Sequence, residues 1–140
     1  MPGKNVAIKC TYNNGGEADY VGFSGACSED ISKYNIDLGH VWCSHKDCPC
    51  MKYYKAGFKH KKPPEYPCME SKLFKDWVFG SGWFHNGPNQ GQPRRANITA
   101  GGIAVLTTRF PNDRENDRRI VGLYKIAQIT NEDDEETKMY

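Results

Sequence analysis

Hydrophobic and polar positions follow a strand-like pattern at both ends of the chain. Near the start, Val6 and Ile8 occupy alternate positions in residues 5–12, which predicts a short strand. In the second half, residues 103–110 and 119–130 are apolar, β-branched runs separated by a charged turn. This arrangement predicts two antiparallel strands.

The pattern between these strands favours short helices. Ser28 is placed to cap a helix over residues 29–34, whose first turn carries acids. A further helical turn or two is expected at residues 50–56. Trp77 closes the clearest helical pattern and is therefore expected to lie in the core. That pattern has the spacing i, i+4 and i+8, at Met69, Leu73 and Trp77.

These elements do not alternate as strand, helix and strand, so the predicted fold class is α+β. We expect a mainly antiparallel sheet curled into a small β-barrel with flanking helices. The 140 residues fit one domain, predicted to span residues 1–131 with a Cys-rich insertion at about 27–68. Residues 132–140 are interpreted as an acidic tail or linker.

Charge is distributed unevenly along the chain. The formal net charge is +2, but without residues 132–140 the chain has 18 Lys+Arg against 12 Asp+Glu, a net charge of +6. A basic body suits an anionic partner such as nucleic acid, although each cation alone is also typical of an ordinary solvated surface. The predicted phosphate contacts are Arg94, Arg95, Arg109, Arg114, Arg118, Arg119, Lys59, Lys61 and Lys62, and Lys46, Lys52 and Lys55 lie in the same middle stretch.

Five of the six cysteines are crowded into 42 residues, at Cys27, Cys43, Cys48, Cys50 and Cys68. A structural zinc ion needs four thiolate or imidazole ligands. The expected ligands are Cys27, Cys43, Cys68 and one of Cys48 and Cys50, with His45 as an alternative. Such a site would order a loop-rich N-terminal half. Buried reduced thiols and disulfides are the other interpretations.

The expected location is the cytoplasm. No apolar run approaches the roughly 18–20 residues of a membrane-spanning helix, and residues 1–5 lack the apolar core of a signal peptide. Thiols stay reduced in that compartment, where clustered cysteines more often hold a metal.

A run of aromatic and polar residues, Trp83-Phe84-His85-Asn86, is a candidate base pocket. Trp83 and Phe84 are adjacent, so on a strand they point to opposite faces and one of them is expected to face a pocket. Rings of this kind stack on a splayed-out base while polar groups read its edge. Core packing is the alternative for each ring. The predicted pocket also includes Trp42, Tyr20 and Phe23.

Four segments together resemble a PUA-like β-barrel of the EVE and YTH type; they are residues 70–77, 82–87, 102–109 and 119–126. The Cys-rich front is similar to the N-terminal domains of modification-dependent restriction proteins of the Mcr type. That front comprises residues 25–28 and 42–50.

The resemblance implies a reader of modified bases in DNA. Such a module would have no enzymatic activity and would act as the specificity domain of a restriction or defence protein. A fused or associated effector domain would supply the chemistry. By position, the family's aromatic corner corresponds to Trp83, Phe84, His85 and Asn86.

Three other functions remain open at the level of sequence. The first is an RNA-binding PUA-like module, and the second is a zinc-stabilised domain that binds protein. The third is an enzyme, either a Cys-based hydrolase or a nuclease, but the chain has no HExxH motif and no Gly-rich phosphate loop.

Overall fold

The computed structural model describes residues 3–16, 22–80, 86–92 and 98–130. The chain divides into two compact units. The sheet unit comprises Met1–Cys10 and Gly80–Tyr140, and the Cys-rich unit comprises Thr11–Phe79. The Cys-rich unit contains the predicted insertion at 27–68, whereas the predicted tail at 132–140 lies outside the described residues.

The sheet unit has three strands: β1 (Val6–Cys10), β2 (Ile103–Thr108) and β3 (Arg119–Lys125). They lie in the order β1-β2-β3. The predicted antiparallel pairing of the two C-terminal strands is confirmed. A β-bulge interrupts their register, because Leu106 opposes Gly122 while Thr107 opposes Ile120, which leaves Val121 as the extra residue.

The predicted mainly antiparallel barrel differs from the observed sheet. β1 pairs with β2 in parallel, from Val6 opposite Ala104 to Cys10 opposite Thr108. In the described ranges the sheet is therefore mixed, three-stranded and not closed. The α+β class holds.

The core of the sheet unit lies on one face of β2. Ala104, Leu106 and Thr108 alternate with more exposed positions and are fully buried. Burying a leucine side chain contributes about 1.5–3 kcal/mol to folding. Thr108 hides its hydroxyl by donating a 2.9 Å hydrogen bond to the carbonyl of Cys10. Only glycine fits at position 102, since a Cβ there would lie 1.9 Å from the carbonyl oxygen of Lys4.

The Cys-rich unit is built from short helices and turns. Its helices are α1 (Glu29–Asp37), α2 (Pro49–Lys55) and α3 (Leu73–Asp76), and a 3₁₀ turn at Glu70–Lys72 leads into α3. The predicted cap is confirmed, because the Ser28 hydroxyl accepts a hydrogen bond from the backbone N–H of Ile31.

The predicted core position of Trp77 is wrong. α3 ends one residue earlier, and Trp77 adopts a left-handed conformation with a φ of 56°. Its side chain leaves the helical face and is 63 % exposed. The residues that follow, Val78 and Phe79, are β-branched and aromatic and disfavour a longer helix.

Candidate functional site

Four cysteines stand at the starts of helical segments in the Cys-rich unit. Cys27 directly precedes the cap of α1, Cys48 is the cap of α2, and Cys50 lies in the first turn of α2. Cys68 precedes the 3₁₀ turn, and its backbone N–H donates to the Ser71 hydroxyl at 3.1 Å. All four cysteines therefore lie at or next to the N-terminal ends of helical segments.

These four thiols are neighbours. Cys48 and Cys50 share a side-chain hydrogen bond, and the thiols of Cys27 and Cys68 lie near enough to act electrostatically on Cys50. Cys48 acts in the same way on Cys27. Cys48 and Cys50 are buried, while Cys27 and Cys68 are half-buried.

Their surroundings change the pKa of each thiol differently. The hydrogen bond from Cys50, assisted by backbone N–H groups, lowers the pKa of Cys48 to about 7. The same shared hydrogen bond, together with burial, raises the pKa of Cys50. Burial raises the pKa of Cys27 to about 12. Without a cation, Cys27 and Cys50 therefore hold their protons more tightly than free thiols do, whereas Cys48 releases its proton more easily.

The predicted metal ligands are only partly brought together. All six cysteines are free thiols, so the disulfide interpretation is not what the structure adopts. Cys43 lies half-buried in the turn after α1, and His45 stacks on Trp42 with ring centroids 5.5 Å apart. Within the described ranges, no group of three or more His, Cys, Asp or Glu side chains is arranged to hold a metal ion.

Two buried asparagines frame this cluster, and neither is among the site residues predicted from the sequence. The Asn13 amide donates to the carbonyl of Gly25 at 2.9 Å, and its oxygen accepts from the backbone N–H of Phe23 at 2.9 Å. Asn14 holds Ser28 by both its hydroxyl and its backbone N–H, each at 2.9 Å. These contacts fix the chain on either side of Cys27, which hydrophobic patterning cannot reveal.

The predicted base pocket is described only in part. Trp83, Phe84, His85 and Tyr20 lie outside the described residues. Asn86 is exposed in a turn that begins there.

Phe23 and Trp42, by contrast, are packed inside the Cys-rich unit. Phe23 is 0 % exposed and meets Phe74 edge to face, with 6.3 Å between the ring centroids. Trp42 is 7 % exposed. A ring covered in this way has no free face for a base, so neither side chain is placed for stacking.

Trp77 is the aromatic residue that sequence reasoning missed as a surface ring. Its indole meets Phe74 on one edge, with 5.7 Å between centroids, and most of the side chain remains exposed. The helical spacing predicted a buried position for Trp77, but α3 ends at Asp76 and does not include it.

The arginines at one end of the sheet unit are balanced by acids. We call residues 109–119 the arginine turn. Glu115 lies 3.7 Å from Arg109 and 3.4 Å from Arg118, and it also accepts a hydrogen bond of 2.6 Å from Lys9. The remaining pairs are Arg114 with Asp117 at 2.8 Å and Arg119 with Asp113 at 3.2 Å. Arg94 and Arg95 lie outside the described residues.

One stretch of lysines in the Cys-rich unit has no such compensation within the described residues. We call residues 46–62 the lysine segment; it contains one acid, Asp47. Its lysines are all exposed, and none makes an ion pair within the described residues. They are Lys46, Lys52, Lys55, Lys59, Lys61 and Lys62.

Aromatic contacts within the lysine segment pack its C-terminal part against α2. Phe58 packs edge to face against Tyr53 and Tyr54 of α2, with centroid distances of 5.3 and 5.7 Å. Just beyond the segment, the Lys75 ammonium group sits 4.4 Å from the ring centre of Tyr66. This contact links Tyr66, which follows the lysine segment, to α3, and Trp77 comes directly after α3.

No protein-family model, curated protein or solved structure matches the chain. The EVE and YTH resemblance therefore stays a prediction from the motifs. In the part of the chain that the structure describes, no helix is both long and apolar enough to span a bilayer.

Proposed function

We propose that the protein binds nucleic acid through the Cys-rich unit, with the lysine segment on the phosphate backbone. The observation that carries this proposal is the set of six exposed lysines that make no ion pair with any described residue, accompanied by a single aspartate in the segment. A cation that is already paired must lose its partner before it can contact phosphate, whereas these six have no acidic partner in the part of the chain that the structure describes.

The chemistry of lysine suits this role. An ammonium group is a compact charge on a flexible stem, and it contacts phosphate without reading sequence. Each phosphate neutralised on duplex DNA releases bound counterions, so that log K falls with log salt by about 0.9 per contact. The lysine segment alone would give a steep salt dependence.

The finer proposal is that the protein reads a modified base in DNA. It rests on the resemblance of the segment around Trp83, Phe84, His85 and Asn86 to the EVE and YTH corner. Trp77 adds an exposed indole in the Cys-rich unit, where stacking on a splayed-out base contributes about 1–3 kcal/mol. In this proposal, cleavage of DNA belongs to a fused or associated effector domain.

The decisive experiment measures binding of the full chain to matched oligonucleotides by fluorescence anisotropy. One set of duplexes is identical except for a single modified cytosine or adenine, and the same sequence is supplied as single-stranded DNA and as RNA. We expect one modified duplex to bind at least about 10-fold more tightly than its unmodified counterpart, with a steep salt slope for both.

Each other outcome has a definite meaning. Equal affinity for every duplex would remove base recognition and leave backbone binding alone. Preference for RNA would favour the RNA-binding module instead. Absence of binding to any nucleic acid at low salt would contradict the whole proposal and favour a domain that binds protein.

A further inference from the structure

We propose that Cys27, Cys48, Cys50 and Cys68 together bind one zinc ion as a four-thiolate structural site, with Cys43 outside the ligand set. This inference is independent of nucleic-acid binding, because the site would order the Cys-rich unit whatever that unit recognises. It also narrows the ligand choice that the sequence leaves open, since both Cys48 and Cys50 belong to the set.

Proximity is the first argument. Cys48 and Cys50 are joined by a thiol–thiol hydrogen bond, and Cys27 and Cys68 act on Cys50 through space. Four sulfurs drawn from three separate segments of the chain therefore share one neighbourhood. Among the described residues no three of these side chains are arranged to hold a metal ion, so binding requires the sulfurs to move together, to about 2.3 Å from the ion.

The composition of the neighbourhood is the second argument. Zinc prefers thiolate ligands, and a site with four of them is closed and structural rather than catalytic. Backbone N–H groups of Cys50 and Met51 point at the sulfur of Cys48, as hydrogen-bond donors commonly do at metal-bound thiolates. Lys52 acts favourably on the same sulfur and offsets part of the charge.

The short helices of the Cys-rich unit also favour a metal site that joins them. The Cys-rich unit has helices of nine, seven and four residues joined by turns, and isolated helices of this length are marginal in water. A metal that joins the starts of α1 and α2 to the start of the 3₁₀ turn would hold these pieces together.

Coordination balances as a proton exchange. Each of the four thiols gives its proton to solvent as its sulfur binds zinc, so one Zn²⁺ replaces four protons and the site carries a net charge of −2. No oxidant or reductant is needed. Affinity for zinc should therefore fall steeply as the pH is lowered.

The main test maps which cysteines zinc protects in the unmodified chain. The protein is stripped with a chelator, divided, and one half is reloaded with one equivalent of Zn²⁺. Both halves are treated with a thiol-alkylating reagent, and modification of each cysteine is read by peptide mass spectrometry. We expect zinc to slow alkylation of the four proposed ligands at least about 10-fold and to slow that of Cys43 far less, because Cys43 gains only the protection of folding.

A second measurement counts the sulfur ligands. Co²⁺ replaces zinc in tetrahedral sites, and its sulfur-to-metal absorption band grows with the number of bound thiolates. Cys43→Ser is the matched control and should keep the band of the unmodified chain. Cys68→His should still bind Co²⁺ but lose about a quarter of the band, because one sulfur is replaced by a nitrogen.

The results that would overturn the proposal are distinct from failure of nucleic-acid binding. Protection of Cys43 as strong as that of the four proposed ligands, or loss of the band in Cys43→Ser, would show that the ligand set is wrong. Equal alkylation of the four cysteines with and without zinc would show that no such site exists. Because the alkylation test uses the natural chain, a variant that does not fold cannot obscure the outcome.

Discussion

The arginine turn and the lysine segment are both rich in cations, yet they differ in what surrounds the charge. In the arginine turn, Glu115, Asp113 and Asp117 pair with neighbouring cations. In the lysine segment, one aspartate accompanies six exposed lysines. A count of basic residues therefore does not separate paired cations from unpaired ones. The distribution of acids among them does.

The two regions differ for a reason visible in their backbone. The 3₁₀ turn at Glu115–Asp117 sets Arg114 opposite Asp117 and Glu115 opposite Arg118, each three residues apart. That spacing brings side chains together on a helical turn. In the lysine segment the chain turns instead at Gly57, Phe58 and His60, which have positive φ angles. None of these three residues carries an acidic side chain.

The largest expected effect comes from removing lysines. Replacing Lys59, Lys61 and Lys62 together by Gln should lower affinity for duplex DNA at least about 10-fold and reduce the salt slope by up to about 2.7. Binding isotherms at four salt concentrations check both values.

The matched control for that variant changes net charge by the same amount in the other region. Replacing Arg109, Arg114 and Arg119 by Gln should lower affinity less than about 3-fold, because these groups are already paired. If the two triple variants lose affinity equally, then net charge alone governs binding and the distinction between the regions fails.

A smaller effect is expected from Trp77→Ala. Loss of one stacked base costs about 1–3 kcal/mol, and for an indole that already contacts Phe74 we expect the lower end, about 5-fold in affinity for single-stranded DNA. Trp77→Phe keeps a ring and should retain most of the binding. The melting temperature should hardly change, since the side chain is 63 % exposed. A large drop in melting temperature with unchanged affinity would assign Trp77 a structural role instead.

Glu115→Gln should convert part of the arginine turn into an open cationic surface. The change removes the acid that pairs with Lys9, Arg109 and Arg118. We expect a gain in affinity for duplex DNA of about 2- to 3-fold and a slightly steeper salt slope. An unchanged slope would mean that this end of the sheet unit does not approach the nucleic acid at all.

The smallest effect is the pH dependence of that same carboxylate. The hydrogen bond from Lys9, with the nearby arginines, lowers the pKa of Glu115 below its ordinary value of 4.5. A lowered pKa stabilises the fold above about pH 4.5, and this contribution disappears as the pH falls through the lower value. Melting curves of the natural chain and Glu115→Gln should therefore differ slightly near neutral pH and converge in acid. A gap that persists at about pH 2 would contradict this assignment.

Much of the local structure was readable from the sequence, because local signals decide it. The serine cap predicted α1, and two apolar runs around a charged turn predicted β2 and β3. The parallel pairing of β1 with β2 was not readable, since nothing in the pattern of Val6 and Ile8 names a partner strand. The barrel prediction failed on this pairing.

The candidate site was readable in kind but not in detail. Crowded cysteines indicated a thiol cluster, yet only the folded chain shows that Cys50 has Cys27 and Cys68 as neighbours. The exposure of Trp77 depends on where α3 ends, and helix ends are set by a few weak preferences. Pairing in the arginine turn depends on the 3₁₀ turn at Glu115–Asp117, whereas the sequence predicted only a charged turn there.

The position of β1 ahead of the Cys-rich unit has a consequence for how the chain matures. Thr108 and Cys10, which meet across the sheet, are 98 residues apart. During synthesis β1 leaves the ribosome before β2, and it cannot pair until β2 has been made. By then the intervening residues 11–79, which form the Cys-rich unit, have already been synthesised. β1 therefore joins the sheet last, although it is synthesised before the other two strands. The cysteines are exposed to ions in the surrounding medium before the sheet forms.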